Sequence, residues 1–281
     1  MEVHPDKGAA IVLVLVLSLS GCASRMAPVS SPTSSLPTTL ASPGPTLPPT
    51  INRSADLFAL KPEMVGCQFF GIALQISPED VQSRLPPGYK ADGLASPATD
   101  QVNIEAHRCD SLIINNETVV SAISWVQTVA RVQVNETLSK GADYQFYALE
   151  MFVSNQTLAS LFAALGFNAT LANLGLKTTD SISTLTVSVG ANLWYEAEGT
   201  NGLGRPVNHS YLERYHQMPE GNGPRWISRN HTYAFPGIPG EGAVRITGGV
   251  LHSMRPGDQG AMPAITQFAP AAKASLNFGR L

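Results

Sequence analysis

The feature that most limits what this chain can build is an apolar run, Ala9 to Leu19, closed by Ser20-Gly21-Cys22. It is too short to cross a bilayer, because a spanning helix needs about 20 apolar residues. With Lys7 before it and small residues after it, the run has the form of a secretory signal, which takes no part in a fold. Glu2 and Asp6 are unusual companions for such a signal. From Cys22 to Pro49 the chain is Ser, Thr and Pro with almost no charge and only scattered leucines. Such a stretch cannot bury enough apolar surface to offset its ordering entropy, so residues 22–55 are expected to be an extended tether. A core can therefore be drawn only from residues 56–281, which is ample for one domain.

Leu19-Ser20-Gly21-Cys22 resembles the lipobox of prokaryotic lipoproteins. The resemblance implies that residues 1–21 are a signal peptide and that Cys22 takes a diacylglyceryl group as the new N-terminus. Two acyl chains hold a protein stably on a membrane where one is marginal. The expected location is therefore extracytoplasmic, lipid-anchored to the cell membrane, with the membrane as the one partner the sequence names. An ordinary signal peptide that happens to end in Gly-Cys is the bland alternative.

Net charge and cysteine usage narrow the chemistry. At a net charge of −3 there is no basic face to recruit nucleic acid. With Cys22 assigned to lipid, Cys67 and Cys109 remain. In an oxidising exterior that pair suggests a disulfide across neighbouring strands; two separate buried thiols are the alternative. Cys-x-x-Cys, His-Glu-x-x-His, Gly-x-Ser-x-Gly and Walker patterns do not occur, so no metal or cofactor is expected.

Seven Asn-x-Ser/Thr triplets begin at Asn52, Asn116, Asn135, Asn155, Asn168, Asn208 and Asn230. With 14 asparagines and 44 serines plus threonines, chance gives about two. The excess points to N-glycosylation, which requires each used site to lie on the surface. Together with a lipid anchor it fits an archaeal host more naturally than a bacterial one.

Residues 56–281 read as mostly strands. Val65–Ile76 is β-branched and aromatic; Ser77-Pro78-Glu79-Asp80 opens a short helix with a capping serine and proline at its first position, and Leu85-Pro86-Pro87-Gly88 stops it. Gln101–Ile114 and Val119–Val134 are strands around an Asn115-Asn116 turn, and Gly141–Val153 is a third. Leu158–Phe167 is an apolar helix capped by Ser154 or Asn155. Asp180–Val189 and Ala191–Glu198 form a strand pair about Gly190, and a short helix is expected near Tyr211–His216. The fold class is a β-rich α+β domain, a single barrel-like antiparallel body with two or three short helices.

The order of strand, "ISPEDVQSRLPPGY", strand pair, "GADYQFYALEMFVSN" and helix is similar to the N-terminal half of the acetoacetate decarboxylase-like superfamily. "DSISTLTVSVGANLWYEAEGT" resembles its next strand pair. The likeness covers about half of the chain, Val65 to Thr200. It implies the decarboxylase-like fold and, in an active member, a Schiff-base lysine. Acetoacetate decarboxylase lowers that lysine's pKa by desolvation and a cationic neighbour. The family carries it in a Gly-Arg-Glu … Pro-Lys-Lys stretch after the tyrosine strand. Here the corresponding stretch, Ala163 to Lys177, lacks Arg-Glu and paired lysines and holds the Asn168 triplet. Lys177 is the one lysine nearby and reads as a solvated loop residue, so decarboxylation looks lost.

Two further constellations compete. His209, Glu213 and His216 would share one face of a helix, where a polar surface is a simpler reading than a metal site. Glu150 shares strand parity with Tyr144, Phe146, Ala148 and Phe152, which would aim it inward. Arg131 is its natural partner, since a buried carboxylate needs one. Arg131, Tyr144 and Glu150 are thus the candidate ligand pocket, against the plainer reading of a structural ion pair. The expected function is binding of a small apolar or carboxylate-bearing molecule without lysine chemistry. An enzyme using Lys177 or Glu150, or a structural envelope protein, are the alternatives.

Overall fold

The structure, a computed structural model, describes residues 57–92, 102–139, 141–203, 209–218, 224–233, 237–255 and 260–280. The signal segment, Cys22, the tether and the triplets at Asn52 and Asn208 lie outside the described residues. A short 3-10 turn, Leu57–Ala59, leads into β1 (Glu63–Leu74), α1 (Pro78–Gln82), β2 (Lys90–Ala91), β3 (Val102–Ile114) and β4 (Glu117–Gln133). Then follow α2 (Glu136–Ser139), β5 (Tyr144–Val153), α3 (Gln156–Ala164), β6 (Thr170–Leu171), β7 (Asn173–Thr178), β8 (Ile182–Val189) and β9 (Asn192–Thr200). The last elements are β10 (Gly202–Leu203), β11 (His209–Gln217), β12 (Arg225–Tyr233), β13 (Gly237–Ile238), β14 (Gly240–Ile246), α4 (Gly249–Met254) and β15 (Ala261–Arg280).

Seven strands close into a barrel in the order β1-β3-β4-β5-β11-β12-β15, with β15 returning to pair with β1. All of these neighbours are antiparallel except β5 and β11, which run parallel. The long β15 leaves the barrel at its N-terminal end, where Ala261–Thr266 pairs with β14 and extends the sheet through β9, β8 and β7. The barrel is thus one layer and the β7-β8-β9-β14 sheet a second.

Alternation along the strands sorts the side chains into two cores. The lumen holds Cys67, Cys109, Trp125, Val129, Phe146, Tyr215, Ile227, Leu276 and Phe278, and α3 plugs it with Leu158, Leu161 and Phe162, joined by Leu165 at its C-cap. The opposite face of β1, β3 and β4, through Phe70, Ile72, Ile104 and Val126, packs on Leu185, Val187, Tyr195 and Val244 of the second sheet. Cys67 and Cys109 form a disulfide between the neighbouring strands β1 and β3.

Local signals explain the helices. Ser77 Oγ accepts from Asp80 N–H at 3.1 Å and Pro78 opens α1, while Asn155 Oδ1 accepts from Leu158 N–H at 2.9 Å and starts α3. β8 and β9 turn at Gly190, whose φ of +60° is the left-handed conformation that glycine adopts without penalty. Two expectations are corrected. Residues 209–217 form a barrel strand rather than a helix, and Lys177 stands in β7, exposed, rather than in a loop.

Candidate active-site geometry

One polar cluster lies in the lumen. Arg229 of β12, 1% exposed, donates through Nη2 to Glu105 Oε2 on β3 and Glu213 Oε2 on β11, each at 2.8 Å. Gln127 Nε2 donates to the same Glu105 oxygen at 2.9 Å, as does the Tyr215 hydroxyl at 2.9 Å. Arg229 also contacts Tyr215 Oη and His107 Nε2, and its guanidinium carbon lies 4.6 Å from the Tyr215 ring centroid. Burial works against ionisation of Glu105, but the Arg229 charge prevails and holds its pKa below the usual carboxylate range. This hub joins strands β3, β4, β11 and β12 across the lumen.

The second carboxyl of interest, Glu150, sits elsewhere. Between β4 and β5 the register slips: Thr128 opposes Glu150, but the next residue, Val129, opposes Ala148. Leu149 is the extra residue of a β-bulge, which reverses the parity of everything beyond it. Phe146 and Ala148 face the lumen, as do Met151 and Val153, whereas Glu150 and Phe152 turn toward the second sheet. There Glu150 Oε1 accepts from Val250 N–H at 2.6 Å and Oε2 accepts from the Tyr195 hydroxyl, which in turn accepts from Thr128 Oγ1 at 3.4 Å. Desolvation raises the Glu150 pKa, and the two donors only partly offset it. Gly249 permits this approach: at φ +77°, a Cβ there would stand 2.7 and 2.8 Å from the Glu150 carboxyl oxygens.

Glu150 lines a cavity of about 330 Å³ at a gap in the strand pairing of the barrel wall. Along the edge of β5 facing away from β4, β11 pairs with Tyr144–Tyr147 and β6 with Phe152–Val153. Among the described residues no strand pairs with Ala148–Met151 on that edge. All four of these residues line the cavity, with Arg84 from the end of α1, Trp194 of β9, Asn168 and Thr170 after α3, Met218 beyond β11, and Val250 of α4. Among the described residues its charged lining is Arg84 and Glu150, and none of them is a lysine. A larger groove of about 770 Å³ runs along Leu85–Ala91 and Gln133, but among the described residues its single charged lining residue is the exposed Lys90, so convergent polar chemistry belongs to the smaller opening.

The residues singled out in the sequence are thereby separated. Arg131 pairs with Asp92 at 2.8 Å, not with Glu150, and its guanidinium lies 5.6 Å from the ring centroid of Tyr144, itself 39% exposed. Neither Arg131 nor Tyr144 borders the cavity that Glu150 lines. Lys177 is likewise absent from its lining. Glu213 and His216 lie on opposite faces of β11, Glu213 in the lumen hub. His216 Nε2 meets Gln145 Oε1 at 2.9 Å, and burial, then Arg214, lowers its pKa to about 3. Of the acceptor triplets, Asn116, Asn135, Asn168 and Asn230 are exposed and Asn155 is half-buried at its helix cap. Sequence reasoning missed Glu105, Tyr215 and Arg229 altogether; strand parity in β3 and β12 would have placed Glu105 beside Cys109 and Arg229 beside Ile227.

No family model matches the chain, and no curated protein does. Solved structures do match in shape. Acetoacetate decarboxylase from Legionella pneumophila superposes with a TM-score of 0.52 at 15% identity, over 78% of this chain and 86% of that one. An acetoacetate decarboxylase-like enzyme from Sphingomonas wittichii gives 0.53 at 11% identity, over 86% and 100%. The enduracididine biosynthesis enzyme MppR, complexed with pyruvate, gives 0.59 at 12% identity, over 85% and 98%. The chain has the acetoacetate decarboxylase-like fold: a closed seven-stranded barrel with a second sheet grown from its last strand.

Proposed function

We propose that this chain is an extracytoplasmic lipoprotein, anchored through Cys22, whose barrel binds a small apolar or carboxylate-bearing molecule without Schiff-base chemistry. The observation that carries the reading is the wall opening, lined by Arg84 and Glu150 and, among the described residues, by no lysine. Its volume reaches the range of small-molecule sites, about 300 Å³ and above, which counts against a purely structural envelope protein. Tyr147, Leu149, Trp194 and Met218 supply apolar wall, and Arg84 is a partner for a carboxylate. Glu150, kept toward its neutral form by burial, opposes an incoming anion less than an ordinary glutamate would. That MppR is seen with pyruvate supports a carboxylate-bearing ligand by analogy of fold alone.

The test is a titration of the protein with short-chain carboxylates and 2-oxo acids, paired with borohydride reduction in the presence of a β-keto acid. The expected result is reversible binding that weakens in Arg84→Gln, and no covalent adduct. A reduced adduct on Lys177, or on any other lysine, contradicts the reading. The raised pKa of Glu150 supports one other reading, a lyase in which this carboxyl moves a proton. Turnover of a β-keto acid that disappears in Glu150→Gln would establish it. The anchor has its own check: mass spectrometry of the native protein is expected to find diacylglyceryl-modified Cys22 at the N-terminus. An intact Met1 or an unmodified Cys22 thiol contradicts it.

A further inference from the structure

The wall opening has a shape that a general small-molecule pocket does not need. β11 and β6 both run parallel to β5 along the same edge, one ending beside Tyr147 and the other beginning beside Phe152. Between them Ala148–Met151 forms a slot four residues long, about 13 Å at the rise of a strand. Free strand edges present N–H and C=O groups that pair readily with another extended segment.

The protein already places a peptide-like group at this slot. Gln217, the last residue of β11, accepts through Oε1 from Asn168 N–H at 2.6 Å and donates through Nε2 to Asn168 O at 3.2 Å. A side-chain carboxamide thus satisfies one main-chain donor and acceptor together, as a strand backbone would. It links the end of β11 to the segment leading into β6 and leaves the edge beyond it to the cavity.

Resting on the reading of this opening as a small-molecule site, we propose that its ligand is an N-acylated amino acid or short peptide with a free carboxylate. The ligand would be held by adding its amide to the open edge of β5, with its carboxylate at Arg84. Strand addition supplies affinity through main-chain hydrogen bonds, and the walls beside alternate residues supply selectivity. A cavity of about 330 Å³, at the small end of ligand sites, limits the occupant to about two residues.

The experiment titrates the full chain by calorimetry with three probes of similar size: N-acetyl-alanyl-alanine, the analogue in which an ester oxygen replaces its central amide N–H, and hexanoate. Amide hydrogen exchange at residues 148–151 is followed in parallel. One main-chain hydrogen bond is worth roughly a tenfold difference in affinity. The amide probe is therefore expected to bind roughly tenfold more tightly than the ester and to slow exchange across 148–151. Arg84→Gln should weaken both acylated probes alike and leave their ratio unchanged. If amide and ester bind equally without slowing exchange, edge recognition is overturned. Hexanoate binding alone would likewise overturn it while leaving the small-carboxylate reading standing. If none of the three binds, both readings fall.

Discussion

The lumen holds a buried glutamate, Glu105, and the wall opening a half-buried one, Glu150, and their pKa values are shifted in opposite directions. Glu105 shares Arg229 with Glu213, accepts from Gln127 and Tyr215, and is held below the usual carboxylate range. Glu150 has a phenol and a main-chain N–H but no cation in contact, and is pushed above that range. The difference lies in the supply of positive charge, since both groups are desolvated. Where a guanidinium is buried with the carboxylate, the carboxylate's charge is answered within the protein and the cluster joins strands. Where only neutral donors meet it, the carboxyl is left at the border of a cavity with its charge state open to influence. The first arrangement is suited to holding a barrel together and the second to meeting a ligand.

The sharpest way to break this contrast is Arg229→Leu, which strips both lumen carboxylates of the guanidinium they share. Breaking a buried pair costs about 3–5 kcal/mol, measurable by chemical denaturation at neutral pH. Because Glu105 is depressed in the folded state, the stability it contributes is present above its unfolded pKa. That contribution is lost as pH falls through the folded value. The penalty of Arg229→Leu is therefore expected to shrink in acid. A penalty below about 1 kcal/mol, or one independent of pH, would mean the hub is not the ionic joint described here.

Gly249→Ala sharpens the other side. A Cβ there collides with the Glu150 carboxyl and occupies a left-handed backbone, a strain on the order of 1–3 kcal/mol. Stability should fall by that amount and carboxylate binding should weaken, while Arg229 and its partners are undisturbed. A variant as stable as the parent would remove the claim that glycine is required. Smaller still is the effect of Glu150→Gln on stability. A raised carboxyl pKa favours the fold below the unfolded value, about 4.3, and that contribution is lost as pH rises through the folded value. The variant should therefore gain on the parent as pH rises to neutral, as read by thermal melts across pH. Carboxylate affinity should strengthen as pH falls in the parent and stay flat in Glu150→Gln.

Much of the frame was legible in the chain. Ser77-Pro78 and Asn155 announce their helices, Leu85-Pro86-Pro87-Gly88 ends the first, and the cysteine pair bridges neighbouring strands as expected. The site was less legible, for two physical reasons. A bulge at Leu149 leaves no mark in a run of strand-forming residues, yet it moves Glu150 from the lumen side to the opposite face and so dissolves its presumed pairing with Arg131. Residues 209–217 carry polar groups on both faces, so no apolar alternation identifies the strand. Burial of Glu213 and Arg214 is compensated by Arg229, Ser228 and the carbonyls of Leu138 and Ser139, partners at least 14 residues away. Pattern within a window cannot register compensation that arrives from another strand.

The most direct test of the contrast is carboxyl carbon NMR on protein labelled at glutamate, titrated with pH, with and without a saturating short-chain carboxylate. Glu150 is expected to titrate above the ordinary glutamate range and Glu105 below it, and the added ligand should move Glu150 while leaving Glu105 in place. Ordinary titration of both groups, or a ligand response confined to Glu105, would contradict the assignment of the wall opening as the site.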